Sequence, residues 1–383
     1  MPKILINVEG KFLSPLLNNS PLIDNKLYNE FSKEEIIDLL KKFNISVFDN
    51  KPINENDTKD FNFVIIDDLK YYHPSNTNVI YCFIQPIDFN IADPFIVDRW
   101  PEANIDKFSK NKVEWCNTKF PNLVFLGSNI FESPNQIFDL SLVLNMNNHN
   151  ENWGLYHYKA RDLFSSIKRK NYRLDYCFRE VKKENRVGLF IKMVQHLRKE
   201  PNIRISAHGG FFNDVKNFFE KSNMLSTFLE FEKVEKRFFS FDELRTSTAG
   251  FGVWPINKLL NNTFCSDISI YFETAREKDG IPNTMNYLIT EKTIDLLNVG
   301  KPFIHLSKNV ELFLEKYGFR NYKTELFDKI SDDIICLSKK ICNMDDSKYN
   351  KLLGELDEIV QYNVQKIDSY YKNNTFLHNL VHN

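Results

Sequence analysis

Glycine is scarce in this chain. There are 12 among 383 residues, about 3 % where soluble proteins average ~7 %. No Gly-x-Gly-x-x-Gly and no Walker-type loop occurs. Any nucleotide phosphate must therefore be held by side chains and helix ends rather than by glycine-rich backbone. Paired cysteines are lacking too. The six are scattered without a Cys-x-x-Cys pair, and Cys82 and Cys177 sit inside apolar runs. That pattern fits buried free thiols in a reducing compartment and argues against a zinc site. Net charge is also lacking: 50 basic against 51 acidic residues leaves −1. No global positive field draws in nucleic acid or an anionic membrane. No apolar stretch reaches the ~18–20 residues of a spanning helix, and the run before Glu9 is too short for a signal peptide. A cytoplasmic location is the expectation. A Gly-x-Ser-x-Gly elbow, a zinc-protease motif and an Asp-x-Asp pair are all missing, which excludes serine- and zinc-hydrolase readings.

What remains is an ordinary globular composition, 42 % hydrophobic and 26 % charged, at a length suited to about two domains. In the first half, short apolar runs alternate with helices. Strands are predicted at 3–8, 46–49, 63–66, 79–84 and 123–126. A helix from about Lys33 to Phe43 starts from a capping box, Ser32 with Glu35. Ile36, Leu39, Leu40 and Phe43 form its apolar stripe. Residues 70–78 read as a polar loop. An Asn-rich stretch at 145–153 marks the end of the first domain, and a helix at 158–170 leads onward.

The pattern then restarts. Strands are predicted at 173–178, 203–207, 268–272 and 302–305. Helices are predicted at 185–199, 212–221, 255–261, 290–298 and 310–317, followed by a helical tail from 331 to about 372. Apolar strands separated by helices imply parallel sheets covered on both faces. The predicted architecture is α/β, with two doubly wound Rossmann-like domains facing a central cleft, where ligands bind by default. The boundaries are 1–155 for the first domain, 156–345 for the second and 346–383 for a helical tail.

The stretch richest in chemistry is Tyr271-Phe272-Glu273, a polar loop, then Tyr287-Leu288-Ile289-Thr290-Glu291-Lys292. Glu273 ends an apolar strand. Thr290 can cap the following helix, leaving first-turn N–H groups and the positive helix end for an anion such as a diphosphate. Lys292 supplies a point charge for the same phosphates. Glu273 and Glu291 can accept from ribose hydroxyls. Taken alone, Thr-Glu-Lys is also what a capped helix with a solvated ion pair looks like.

In its longer context this region resembles the donor-binding region of fucosyltransferase-like GT-B glycosyltransferases, the α1,3-fucosyltransferase family. The shared elements are the strand ending in Phe272-Glu273, the Tyr287 to Lys292 segment, a helix, and the Pro302-Phe303-Ile304 strand. Asn185-Arg186 stands where the family places an Arg at a helix head, and His208-Gly209-Gly210 resembles the Gly-rich turn that follows. Gly318-Phe319 is similar to the phage- or virus-type branch. The resemblance covers roughly residues 173–319. Thr274 replaces the family's Asn, and two residues rather than one separate Tyr287 from Thr290.

The resemblance implies a GT-B fold and inverting transfer of a sugar from a nucleotide-diphosphate sugar to a hydroxyl acceptor, a glycan first of all. No metal or other cofactor is required. Arg186 and Lys292 are implied to bind the diphosphate, Glu273 and Glu291 the ribose or sugar hydroxyls, and Tyr287 to line the donor pocket. His208 can touch the phosphates or be a turn histidine with no ligand. Inverting transfer needs a general base. Asp67 and Asp68, at the carboxyl end of the 63–66 strand, are the candidates, with a polar strand terminus as the other reading. Asp88, Asp93, Asp98 and Glu102 are weaker. His305 reads as a core residue. His378 and His382 read as chance spacing in a frayed tail. Lys-and-aromatic stretches at 211–221 and 228–239 have helical spacing, so stable nucleic-acid binding is not expected. The competing function is a non-catalytic nucleotide- or glycan-binding module that keeps the fold. An enzyme acting on nucleotides without sugar transfer is the third.

Overall fold

A computed structural model describes residues 1–9, 13, 16–17, 20–23, 32–49, 51–84, 118, 121–126, 129–131, 136–137, 140–142, 144, 161–162, 164–167, 171–178, 192–193, 195–197, 199–207, 266–271, 286–288, 291–306 and 308–382. In the first part of the chain these form β1 (Ile4–Val8), α1 (Lys33–Lys41), β2 (Ile45–Asp49), α2 (Glu55–Thr58), β3 (Phe63–Ile66), β4 (Ile80–Ile84), β5 (Leu123–Leu126), β6 (Asn129–Phe131) and β7 (Gln136–Ile137). There follow β8 (Tyr172–Phe178), β9 (Ile203–Ala207), β10 (Ser266–Tyr271), β11 (Asn286–Leu288), α3 (Glu291–Val299), β12 (Phe303–His305) and α4 (Lys308–Lys316). After a π turn at Lys323–Phe327 come α5 (Ile334–Cys342), α6 (Asp346–Lys372) and α7 (Phe376–His382).

The chain forms two compact units. One comprises Met1–Tyr156, Thr274–Ile294 and Gln365–Asn383, and the other His157–Glu273 and Asp295–Val364. The division is discontinuous, where the sequence pattern suggests contiguous blocks at 1–155, 156–345 and 346–383. Local periodicity marks where elements begin, and it carries no information on which distant elements pack together.

The first unit holds a parallel sheet in the order β2-β1-β3-β4-β5-β7. Its central strands are apolar apart from Asn7 of β1 because both faces are covered. Ile4, Ile6, Val8, Ile65, Cys82 and Ile84 pack on one face with Ile36 and Leu40 of α1. Leu5, Val64, Ile66, Tyr81 and Phe83 pack on the other with Ile53, Leu69 and Tyr72. The α1 capping box forms as the sequence predicts, with Glu35 N–H donating to Ser32 Oγ and Ser32 N–H to Glu35 Oε2.

Residues 72–78 form the loop that the sequence predicts, but the segment is not polar throughout. A 3-10 turn at Leu69–Tyr71 turns Tyr71 and Tyr72 into the core. Asn122 holds the rest of the segment through its Nδ2, which donates to the carbonyls of Asn76 and Val79. The region of His378 and His382 is not frayed. Phe376, Leu377, Leu380 and Val381 form one buried face of α7, packed against the β1 side of the sheet.

The second unit holds a parallel sheet in the order β12-β10-β8-β9. Leu174, Tyr176, Ile203, Ile205, Ile268, Ile270, Phe303 and Ile304 are buried in it. The helix predicted at 185–199 is described at 192–193 and 195–197, where Met193 and Leu197 are buried as its stripe requires. The mixed α/β class with two parallel sheets is thus as the sequence predicts. A third, two-stranded sheet is not foreseen by the sequence pattern: β11 pairs antiparallel with β6, Tyr287 opposite Ile130.

Helix α3 ends in a Schellman motif. Gly300 has φ +71, its N–H donates to the Leu297 carbonyl, and the Lys301 N–H donates to the Leu296 carbonyl. A Cβ on Gly300 comes to 3.0 Å from Val364 Cγ2 and 3.3 Å from Val360 Cγ1. Gly300→Ala meets both an unfavourable φ and this contact, so a loss of more than about 1 kcal/mol is expected in urea denaturation.

Candidate functional site

The first sheet reverses direction at β1. The chain leaves β1 for β2 on one side and returns to β3 on the other. In open parallel sheets the carboxyl ends at such a reversal are where ligands bind, because the flanking connections part there. Parallel register aligns Asn7 with Ile66 across the pair. The next residues, Val8–Glu9 and Asp67–Asp68, therefore emerge together at that edge.

The two aspartates have different partners. Asp67 Oδ2 accepts the Glu9 N–H at 2.7 Å. Its Oδ1 is buried with no hydrogen-bond partner among the described residues. Desolvation is the main cause that pushes the Asp67 carboxyl above the ordinary aspartate value; the nearby charges of Glu9 and Asp68 add to it, and the Glu9 N–H works against it. Asp68 is committed to structure. Its Oδ1 accepts the Lys70 N–H at 2.8 Å, capping the 3-10 turn, and its Oδ2 pairs with Lys70 Nζ at 2.7 Å. That hydrogen bond holds the Lys70 amine above its usual value. A carboxylate with one tethered and one unsatisfied oxygen is suited to take a proton from a hydroxyl; a cap paired to a lysine is not. Asn7 stiffens the same edge. Fully buried, it donates to the Lys51 carbonyl and accepts the Lys51 N–H, each at 3.1 Å.

The second sheet reverses between β8 and β10. Three segments named from the sequence leave its carboxyl edge. His208 directly follows β9, Glu273 lies two residues past β10, and Arg186 lies eight past β8. Arg186, His208, Glu273 and Thr290 lie outside the described residues. Tyr287 is the middle residue of β11, and Glu291 and Lys292 open α3, so Thr290 occupies the N-cap position in sequence. Glu273 groups with the second unit, and Tyr287, Thr290, Glu291 and Lys292 with the first. The alternatives Asp88, Asp93, Asp98 and Glu102 also lie outside the described residues.

His305, at the end of β12, is buried with Nε2 3.3 Å from Asn321 Oδ1. Burial pushes the Cys82 and Cys342 thiols up to about 12, so neither is a thiolate nucleophile near neutrality. Among the described residues no group of three or more His, Cys, Asp or Glu side chains is placed to hold a metal ion. Among the same residues no helix is long and apolar enough to cross a membrane.

One buried polar cluster is missed in reading the sequence. Lys301 is fully buried, and its Nζ donates to Asp175 Oδ1 at 2.7 Å and to Ser266 Oγ at 2.8 Å. Ser269 Oγ also donates to Asp175 Oδ1, at 2.7 Å, as does Ser266 Oγ. The available signal is a lysine between Gly300 and Pro302, and an aspartate inside the apolar run of β8.

No protein-family model matches the sequence, and no curated protein matches it.

Proposed function

We propose that the protein is a glycosyltransferase of the fucosyltransferase-like, GT-B kind. It moves a sugar from a nucleotide-diphosphate sugar to a hydroxyl acceptor, a glycan first of all, by a single in-line displacement with inversion. The observation that carries the proposal is the state of Asp67: a carboxylate at the strand reversal of the first sheet, tethered by one oxygen and, among the described residues, without a partner at the other. Asp67 accepts the acceptor's proton as the hydroxyl attacks the anomeric carbon, and the nucleotide diphosphate departs. Asp68 keeps its capping role and is not the base.

On the donor side the reading rests on the resemblance. Arg186 and Lys292 carry the charge of the departing diphosphate, with the opening of α3 adding its N–H groups. Glu273 and Glu291 hold ribose or sugar hydroxyls, Tyr287 lines the pocket, Thr290 caps α3, and His208 lies by the phosphates. With two cationic side chains and a helix end, and no Asp-x-Asp in the chain, the reaction is read as independent of a divalent ion.

The test is a melting-temperature screen against UDP, GDP, CMP and their sugars. A ligand bound by the native state at 100 times its Kd stabilises by about 2.7 kcal/mol. One nucleotide family is expected to raise the Tm by a few degrees, and Lys292→Ala to abolish that rise. The responding sugar nucleotide is then expected to turn over equally with and without EDTA, and to give a product of inverted anomeric configuration. No response to any nucleotide sugar would overturn the proposal in favour of a binding module.

A further inference from the structure

We infer that the buried Lys301–Asp175 pair is a positioning device for α3, holding the Glu291-Lys292 end of that helix in place for the diphosphate; this rests on the glycosyltransferase reading above. Lys301 is the residue directly after the Schellman turn, so its backbone terminates α3 and its side chain leaves the same point. It is 0 % exposed, and its partner Asp175 is 2 % exposed.

The cluster sits at the amino edge of the second sheet. Ser266 is the first residue of β10, and Lys301 lies two residues before the start of β12. Asp175 lies opposite Ser269 in the β8–β10 register, which places one carboxylate oxygen between both serines and the ammonium. A second clamp closes on the same helix end, where Arg161 Nε donates to the Asn298 carbonyl at 2.8 Å. Val360 and Val364 pack against Gly300. Helices that connect parallel strands run back toward the amino edge, so their opening turns face the ligand side. Nine residues of helix span about 13 Å. A rigid rod anchored at its far end thus delivers Glu291 and Lys292 to a defined position.

An ion pair is an expensive choice for simple adhesion. Two apolar residues of similar volume hold such a site as well or better, and what the charges add is a single register. Asp175 accepts from three donors, so Lys301 has one place to go, and the end of α3 goes with it.

Two double variants test the inference: Lys301→Met with Asp175→Leu, and Lys301→Gln with Asp175→Asn, the second keeping polar partners in case the first does not fold. Hydrogen exchange of peptides covering α3 is read in unliganded protein, and GDP or UDP affinity is read by calorimetry. With the Tm held within a few degrees, α3 amides are expected to exchange about tenfold faster or more. The affinity for whichever of the two nucleotides the wild type binds is expected to weaken about tenfold. Unchanged exchange and unchanged affinity in a folded double variant would overturn the inference. If the wild type responds to no nucleotide or nucleotide sugar in the melting screen, the glycosyltransferase reading fails, and the exchange of α3 amides still decides the anchoring.

Discussion

Asp67→Asn is expected to lower kcat by about 10²–10⁴-fold, the range for removal of a general base, while leaving the fold and the nucleotide-induced rise in Tm intact. Asparagine keeps an oxygen to accept the Glu9 N–H, so the tether survives and only proton acceptance is lost. The control is Asp68→Asn, which weakens a cap and a partly exposed ion pair and leaves turnover within a few-fold. Turnover of the Asp67 variant within a few-fold of wild type would remove this residue from the mechanism. The pH dependence carries a second signature. Because desolvation raises the Asp67 carboxyl, the acidic limb of kcat/KM lies above the ordinary aspartate range. The sign for stability follows from the same shift. The folded state prefers the protonated carboxyl, so this group's contribution is fully present below the unfolded-state pKa. It is lost as pH rises through the folded one. Asp67→Asn, neutral at every pH, should remove that loss and be at least as stable as wild type near pH 7 by thermal denaturation.

Lys301→Met alone is expected to cost about 3–5 kcal/mol in urea denaturation, because it leaves the Asp175 carboxylate buried without its counter-charge. Ser266 and Ser269 still donate to that carboxylate, which favours the lower end of the range. Adding Asp175→Leu should recover most of the loss, since the second change removes the stranded charge. A single variant as stable as wild type would overturn this expectation. The contrast between single and double changes separates the penalty of an unpaired charge from the worth of the pair.

Much of the strand framework was legible in the sequence. β3, β5 and β9 stand where the apolar runs place them, and most other strands are within a residue or two of the predicted limits. Continuous apolar runs are required of parallel strands covered on both faces, and Ser32 with Glu35 declares the start of α1 chemically. The antiparallel β6–β11 ladder was not legible. Its strands have three residues each and lie far apart in the sequence, so no local period marks them. Asp67 and Asp68 are indistinguishable as neighbours in a sequence. The 3-10 turn that claims one of them separates them. The Lys301–Asp175 pair joins positions 126 residues apart, beyond the reach of any spacing rule. The seven residues of α7 are too few to announce an amphipathic period; the exposed face of β1 and its neighbours decides their burial.

That burial bears on how the chain is made. Ile4 and Ile6 leave the ribosome long before Phe376, Leu377, Leu380 and Val381, which cover them. Asn374 Nδ2 donates to the Leu16 carbonyl across 358 positions. During translation the opening sheet can form its ladders and still show a greasy flank until synthesis has passed Val381. Such a nascent chain invites chaperone attention, and fragments stopped before Phe376 should aggregate where the full chain stays in solution.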